Sequence, residues 1–368
     1  MKDEHFQRAI EDTTREELKT KANGKHAGEK TYASVRKRMR LTCVVGTRLV
    51  AWLCHKAVRR IAGGGCGTRS ACVERLRRAK AAGLPLVFVP LHRSHFDYIL
   101  VTFTLYLTGL RPPLVAAGDN MRIPFFGWFL RCCGAFFIRR RVDGSEYHGD
   151  PVYKSALRAY ILNSLSANNN LEFFIEGGRT RTGKPQLPKA GILSVILDAY
   201  LDGTIDDALL VPVTLNYDRL VDGNFVREQL GMPKQMETFW SAFRGIWRTL
   251  NTNHGSIRVD FNQPISLKVQ SLLLQFDEQF VTNDIITYAC INYLITDAAQ
   301  STALMCTNVV SYVLLTEQRK GCSLSVLQAS VEARGKALKL AGRDLGYTGD
   351  SHLVVKRAVR HAETQAST

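Results

Sequence analysis

The chain has no CxxC pair. Its nine cysteines (Cys43, Cys54, Cys66, Cys72, Cys132, Cys133, Cys290, Cys306 and Cys322) are scattered and sit mostly inside apolar stretches. That spacing indicates neither a zinc site nor a disulfide framework, and it fits a reducing compartment. An apolar leader is also missing. Met1-Lys2-Asp3-Glu4 begins no h-region, and Glu11, Asp12, Glu16 and Glu17 are out of place in a transit peptide, so no cleaved targeting segment is expected. Long uncharged runs are scarce. The longest, residues 298–316, could span a bilayer by length, but Gln300, Thr307, Asn308 and Ser311 make a poor lipid-facing surface. A buried or membrane-contacting helix is expected there. Internal repeats and low-complexity tracts are not visible.

Acid is in short supply: 33 Asp and Glu stand against 49 Lys and Arg, a formal charge of +16. The excess is concentrated. Between residues 35 and 80, thirteen Lys and Arg face Glu74 alone, a net +12 (13 − 1). Such a field suits phosphate, on nucleic acid or on an anionic lipid surface, although a solvated basic face is the plainer reading. Within this segment residues 35–61 carry a helical pattern. Arg48, His55 and Arg59 fall on one side, with Val50, Leu53, Cys54, Ala57 and Ile61 roughly opposite. With Trp52, this helix suits a membrane interface and a packing role against the following domain equally well.

A hydrophobic content of 45% with 22% charged residues is that of a globular protein, and 368 residues suffice for one large domain with appendages, or for two. Gly63-Gly64-Gly65 and Gly67 mark a boundary. Beyond it, Ser70 is placed to cap a helix running to Gly83, and strand and helix patterns then alternate. Strands are expected over residues 86–89, 114–117, 135–139, 171–175, 209–215 and 257–261. Helices are expected over 94–108, 125–132, 151–167 (Asp150 capping), 192–201 and 237–250. Alternation of this kind implies an α/β fold, a mainly parallel sheet covered by helices, with ligands beyond the carboxyl ends of its strands. From about Ser266 onward the patterns are helical only. The organisation expected is a basic helical, membrane-associating segment over 1–69, an α/β domain over 70–268 and a helical C-terminal region over 269–368.

Four stretches carry chemistry. In the first, the apolar run Leu86-Val87-Phe88-Val89 and Pro90-Leu91 delivers His92-Arg93-Ser94-His95-Phe96-Asp97. A His at the end of a strand, with a carboxylate five residues on at a helix start, makes a general base oriented by an acid. Ser94 and Asp97 also fit a capping box with Asp in the place of Glu, and His95 leaves open which imidazole matters. In the second, the strand Ala135-Phe136-Phe137-Ile138 ends in Arg139-Arg140-Arg141, guanidinium groups suited to clamp a phosphate or to sit in a solvated loop. In the third, Phe173-Phe174-Ile175-Glu176 runs into Gly177-Gly178-Arg179-Thr180-Arg181-Thr182-Gly183-Lys184. Its glycines admit close backbone approach to a ligand beside three cations. Pro185 stands where a P-loop needs Ser or Thr, against a nucleoside triphosphatase. The fourth, Leu210-Val211-Pro212-Val213-Thr214-Leu215-Asn216-Tyr217-Asp218-Arg219, is a strand whose proline suggests a sheet edge or a bulge near the site.

Together and in this order, these stretches resemble the glycerolipid acyltransferases, whose motifs read HxxxxD, GxxFIxR, FxEGxRSR and a proline-bearing strand. The likeness is greatest to the glycerol-3-phosphate acyltransferases of mitochondrial type. Tyr217-Asp218-Arg219 with Glu228-Gln229-Leu230-Gly231, and Arg258-Val259-Asp260-Phe261 with Gln263-Pro264, resemble that subgroup too. The resemblance covers roughly residues 86–349. Thr180 replaces the usual serine, and members of this type continue well beyond residue 368, so the chain reads as C-terminally short. The resemblance implies the glycerolipid acyltransferase fold and transfer of an acyl group from acyl-CoA to the sn-1 hydroxyl of glycerol 3-phosphate, giving lysophosphatidic acid. It implies His92 as base and Asp97 as its orienting acid. Substrate would be held by Arg93, Ser94, Arg139, Arg140, Glu176, Gly177, Gly178, Arg179 and Arg181. The oxyanion would rest on backbone donors at Ser94 or at Gly177-Gly178. Acyl-CoA is then a co-substrate, with no bound cofactor, metal or nucleic acid. A lipid surface, that of the mitochondrial outer membrane facing the cytosol, is the expected location in preference to peroxisome or endoplasmic reticulum. Acylation of dihydroxyacetone phosphate, or a non-catalytic membrane-binding role, are the alternatives.

Overall fold

The structure, a computed structural model, describes residues 47–63, 65–94, 96–119, 126–132, 134–138, 151–179, 184–220, 252–268 and 283–366. In chain order the described elements begin with helix α1 (Thr47–Ile61), strand β1 (Cys66–Gly67) and helix α2 (Ser70–Ala81). They continue with β2 (Leu86–Pro90), α3 (Asp97–Leu107), β3 (Leu114–Gly118), α4 (Phe126–Cys132), β4 (Ala135–Ile138), α5 (Pro151–Ser166) and β5 (Leu171–Glu172). Next come α6 (Gly191–Leu201), β6 (Leu209–Tyr217), β7 (Ile257–Phe261) and β8 (Ile265–Ser266). Four helices follow: α7 (Asn283–Gln300), α8 (Cys306–Thr316), α9 (Leu324–Leu340) and α10 (Ser351–Ala366). The helix expected over 237–250 lies outside the described residues. Ser70 is the first helical residue of α2 rather than its cap; Arg69 occupies the cap position without a side-chain bond.

The strands form one sheet in the order β1-β7-β6-β2-β5-β3-β4, with β8 also pairing β6. β2 to β6 run parallel to one another, while β7 and β8 pair antiparallel with β6. The mainly parallel α/β architecture is therefore as expected. Parallel strands covered on both faces should be continuously apolar. All five residues of β2 and all nine of β6 are buried. Phe88, Val211, Val213 and Val259 pack with α1 and α3 on one face; Val87, Val89, Leu210 and Phe173 pack with α5, α6 and α7 on the other.

Pro212 does not mark an edge: β6 lies inside the sheet. Its carbonyl, and with it its ring nitrogen, faces the gap between β7 and β8, where Asn262 N donates to Pro212 O at 2.9 Å. No ladder bond needs the missing N–H there. The uncharged run 298–316 is likewise not one helix. It breaks between α7 and α8, where Leu304 bridges Leu345. Among the described residues no helix is long and apolar enough to cross a membrane.

Helices α8 to α10 share a separate apolar core around Val310, Val313, Leu327 and Val355. An ion-pair relay ties the turn before α10 to the sheet. Buried Asp260 receives Arg69 Nε (3.2 Å) and Arg258 Nε (3.0 Å), and Arg258 Nη2 reaches Asp344 at 3.3 Å.

Candidate active site

Strand order decides what meets here. β2 lies between β5 and β6, so the loops leaving β2 and β5 and the end of β6 converge at one carboxyl edge. They bring His92, residues 173–179 and 184–190, and Asn216-Tyr217 together. β4, the strand of the second arginine motif, is three places from β2, about 14 Å by ordinary strand spacing.

Asp97 is fully buried at the first turn of α3. Its Oδ2 lies 3.1 Å from His92 Nδ1 and also accepts the main-chain N–H groups of Arg93 (2.8 Å) and Ser94 (2.9 Å). Oδ1 accepts the Tyr217 hydroxyl hydrogen. Four donors on one carboxyl match the acceptor capacity of the carboxylate form. Facing a carboxylate oxygen, Nδ1 is the protonated ring nitrogen, which makes Nε2 the basic one. Only half of the capping box forms: Ser94 Oγ accepts Phe96 N–H (3.1 Å) rather than that of Asp97, and the helix begins at Asp97 with Phe96 at the cap position. Asp97 reaches back to Ser94 N–H as a capping acid does, and the same oxygen orients His92. The Phe174 ring lies against the imidazole, centroids 4.1 Å apart at 31°.

Glu176 is almost completely buried. Oε2 accepts His92 N and Oε1 accepts Gln186 N, both at 2.6 Å. Burial raises its carboxyl above the ordinary value, against the pull of those two donors and of the His92 and Arg93 charges. Its oxygens therefore fasten the third motif to the residue carrying the base. The turn needs glycine next: Gly177 has φ +62°, and a Cβ there would stand 2.7 Å from Lys189 Cδ. Gln186 Nε2 closes the loop on Arg179 O at 2.7 Å.

Arg93 turns inward, its Nη1 donating to Asn216 Oδ1 at 2.9 Å. Burial lowers its pKa, opposed by the charges of Asp97, Tyr217 and Glu176. Arg179 lies on the loop just past Gly177-Gly178. Arg139, Arg140 and Arg181 lie outside the described residues, as does His95. Of the backbone donors considered for an oxyanion, Ser94 N–H is engaged by Asp97 and Gly177 N–H by Phe174 O (3.0 Å).

Tyr217, Asn216, Phe174 and Glu172 were not among the expected site residues. A charged residue within a buried apolar strand was the available signal for Glu172, and position at a strand's carboxyl end for the Asn216-Tyr217 pair. Glu172 is 1% exposed, and neither carboxyl oxygen has a hydrogen-bond partner. Burial, and after it the charge of Asp97, holds its pKa well above the usual range.

A carboxylate-oriented histidine at the carboxyl edge of a parallel sheet can serve as a general base, and comparison with known proteins supplies the family. The acyltransferase family model matches residues 71–216, and the model of the glycerol-3-phosphate acyltransferase C-terminal region matches 225–366. The mitochondrial glycerol-3-phosphate acyltransferase 1 of Sus scrofa is 35% identical over 330 residues, and that of Homo sapiens 34% over 328. Each match covers 78% of this chain and 40% of the relative. The glycerol-3-phosphate acyltransferase of Xanthomonas axonopodis pv. citri is 38% identical over 196 residues, covering 53% of this chain and 22% of the relative. The chain belongs to the glycerol-3-phosphate acyltransferase family. It spans about 40% of the length of the first two relatives.

Proposed function

We propose that the chain transfers a fatty acyl group from acyl-CoA to the sn-1 hydroxyl of glycerol 3-phosphate, giving lysophosphatidic acid. The observation that carries this reading is the His92–Asp97 pair, closed by Tyr217 and two main-chain donors at the carboxyl edge of the sheet. His92 Nε2 takes the hydroxyl proton as the oxygen attacks the thioester carbonyl. The C–S bond breaks as the ester forms, and the proton passes from the imidazolium to the departing thiolate. Asp97 holds the tautomer and stabilises the imidazolium. With Ser94 and Gly177 N–H engaged, Gly178 N–H is the donor assigned to the oxyanion. Arg139, Arg140, Arg179 and Arg181 take the phosphate, and Arg93 keeps positive charge beside it through Asn216. Glu176 acts as the latch of the loop.

By the same reading, residues 70–268 are the catalytic domain, 269–368 a helical C-terminal region and 1–69 a membrane-associating segment. The similarity to relatives named mitochondrial supports a mitochondrial association, and the cytosolic face of the outer membrane is the location proposed within it. The test is acyl transfer by the chain with liposomes, palmitoyl-CoA and labelled glycerol 3-phosphate or dihydroxyacetone phosphate, beside His92→Ala. Turnover of glycerol 3-phosphate lowered ~10²–10⁴-fold or more in the variant is the expected result. Near-normal turnover in the variant removes His92 as base. A preference for dihydroxyacetone phosphate moves the chain to the neighbouring activity.

A further inference from the structure

A cavity lies between α1 and α3, away from His92. Its volume is about 500 Å³, within the range of small-molecule sites. Val58, Ala62, Phe103 and Leu107 supply apolar wall, while His55 and Arg59, one helical turn apart on α1, bring exposed basic side chains to it. His55 leans on the Phe103 ring, centroids 6.0 Å apart. Residues 103–108 follow Asp97 by six to eleven positions, which places the cavity about 9 to 16 Å further along the helix axis.

One further feature points to a ligand. Leu107 is 60% exposed at the cavity wall, large apolar surface left beside two cations.

We propose that this groove is a ligand site separate from the catalytic one, and that it takes a single-chain anionic lipid of the lysophosphatidic acid class. The acyl chain lies along Val58, Phe103 and Leu107; the phosphate meets Arg59 and His55. A guanidinium group pairs with phosphate oxygens in two parallel bonds. Cations here suit a head group rather than the far end of a chain whose thioester sits at His92. The choice of a phosphate head rests on the reaction proposed above, since it makes this amphiphile the product, and the groove is then a place where product is retained or sensed.

The experiment is calorimetric titration of dodecanoyl lysophosphatidic acid, kept below its micellar threshold, into the full chain and into Arg59→Glu and Leu107→Trp. Both positions are exposed, and circular dichroism checks folding. With the catalytic site filled by saturating glycerol 3-phosphate, one-to-one binding, weakened about ten-fold or more by each variant, is expected. Dodecanoyl lysophosphatidylcholine should bind weakly, and saturating glycerol 3-phosphate should not compete. Binding indifferent to both variants, competition by glycerol 3-phosphate, or association only with phosphatidylglycerol vesicles overturns the proposal; the last identifies a membrane surface instead. Acyl transfer followed in the same samples separates the two readings. Groove binding without turnover defeats the reaction and leaves the site, and turnover without groove binding does the reverse.

Discussion

The hydroxyl of Tyr217 donates to Oδ1 of Asp97 from a strand 120 residues further along the chain. Asp97 Oδ2 is taken by His92 and by the turn at Arg93-Ser94. The carboxylate is thereby held at both oxygens and cannot swing without giving up donors, so the imidazole it orients is held as well. Tyr217→Phe removes one charge-assisted bond, about 1.5–3 kcal/mol. The expected result is a kcat lowered about ten-fold or more with KM nearly unchanged. A raised KM with unchanged kcat would make Tyr217 a substrate contact instead.

Asp97→Asn keeps the shape and changes the chemistry. An amide can turn an NH2 group toward the imidazole and invite the wrong tautomer, and one of its ends no longer accepts. A kcat loss of ~10²–10⁴ is expected, with the phosphate substrate bound as before. Steady-state kinetics in both substrates checks this; a loss confined to KM would remove Asp97 from the chemical step.

Glu176→Gln tests the latch. Both carboxyl oxygens accept main-chain N–H groups, and glutamine offers one acceptor where two are used. One donor, on His92 or on Gln186, is then left facing an NH2 group. A stability loss of about 1–3 kcal/mol in urea melts is expected, together with lower kcat, because His92 moves with its backbone. A rise in KM for glycerol 3-phosphate alone, with full stability, would return Glu176 to the substrate.

Periodicity and breakers located most of the sheet, because buried parallel strands such as Leu86–Pro90 and Leu209–Tyr217 are continuous apolar runs. Pairing order is another matter. That β5 falls between β2 and β3 depends on tertiary packing, and it is what puts Glu176 on the backbone of His92. His92 and Asp97 were legible because they lie within six residues. Tyr217 was visible as a motif residue but not as a partner, since nothing local aims its hydroxyl at Asp97. The resemblance implies Glu176 as a substrate-holding residue; that its two oxygens take main-chain donors is visible only in the fold. Pro212 misled in the opposite sense, because the gap between β7 and β8 that tolerates it comes from a segment fifty residues away.

Gly177→Ala should separate backbone strain from side-chain crowding. At φ +62° a β-carbon costs about 1–2 kcal/mol, and the same atom presses on Lys189. Lys189→Ala in the same chain relieves the contact and leaves the dihedral. Partial recovery of melting stability in the double variant is expected; full recovery would show that crowding, not conformation, requires the glycine.

Glu172 sets a pH dependence that can be isolated by one isostere. Its folded pKa is raised by burial and by Asp97, so the native state keeps a proton that the unfolded chain releases as pH passes the ordinary glutamate range. Stability from this group is complete below that range and declines as pH rises toward the folded pKa, by up to ~1.4 kcal/mol per pH unit. Glu172→Gln has no proton to lose. The variant should therefore match the wild type near pH 4 and exceed it by a widening margin toward neutrality, measured by denaturant melts across that interval. Because neither of its oxygens has a hydrogen-bond partner, activity should change little in the variant. A stability difference that is flat with pH would mean that Glu172 is ionised in the fold and that the charge beneath Asp97 has a partner after all.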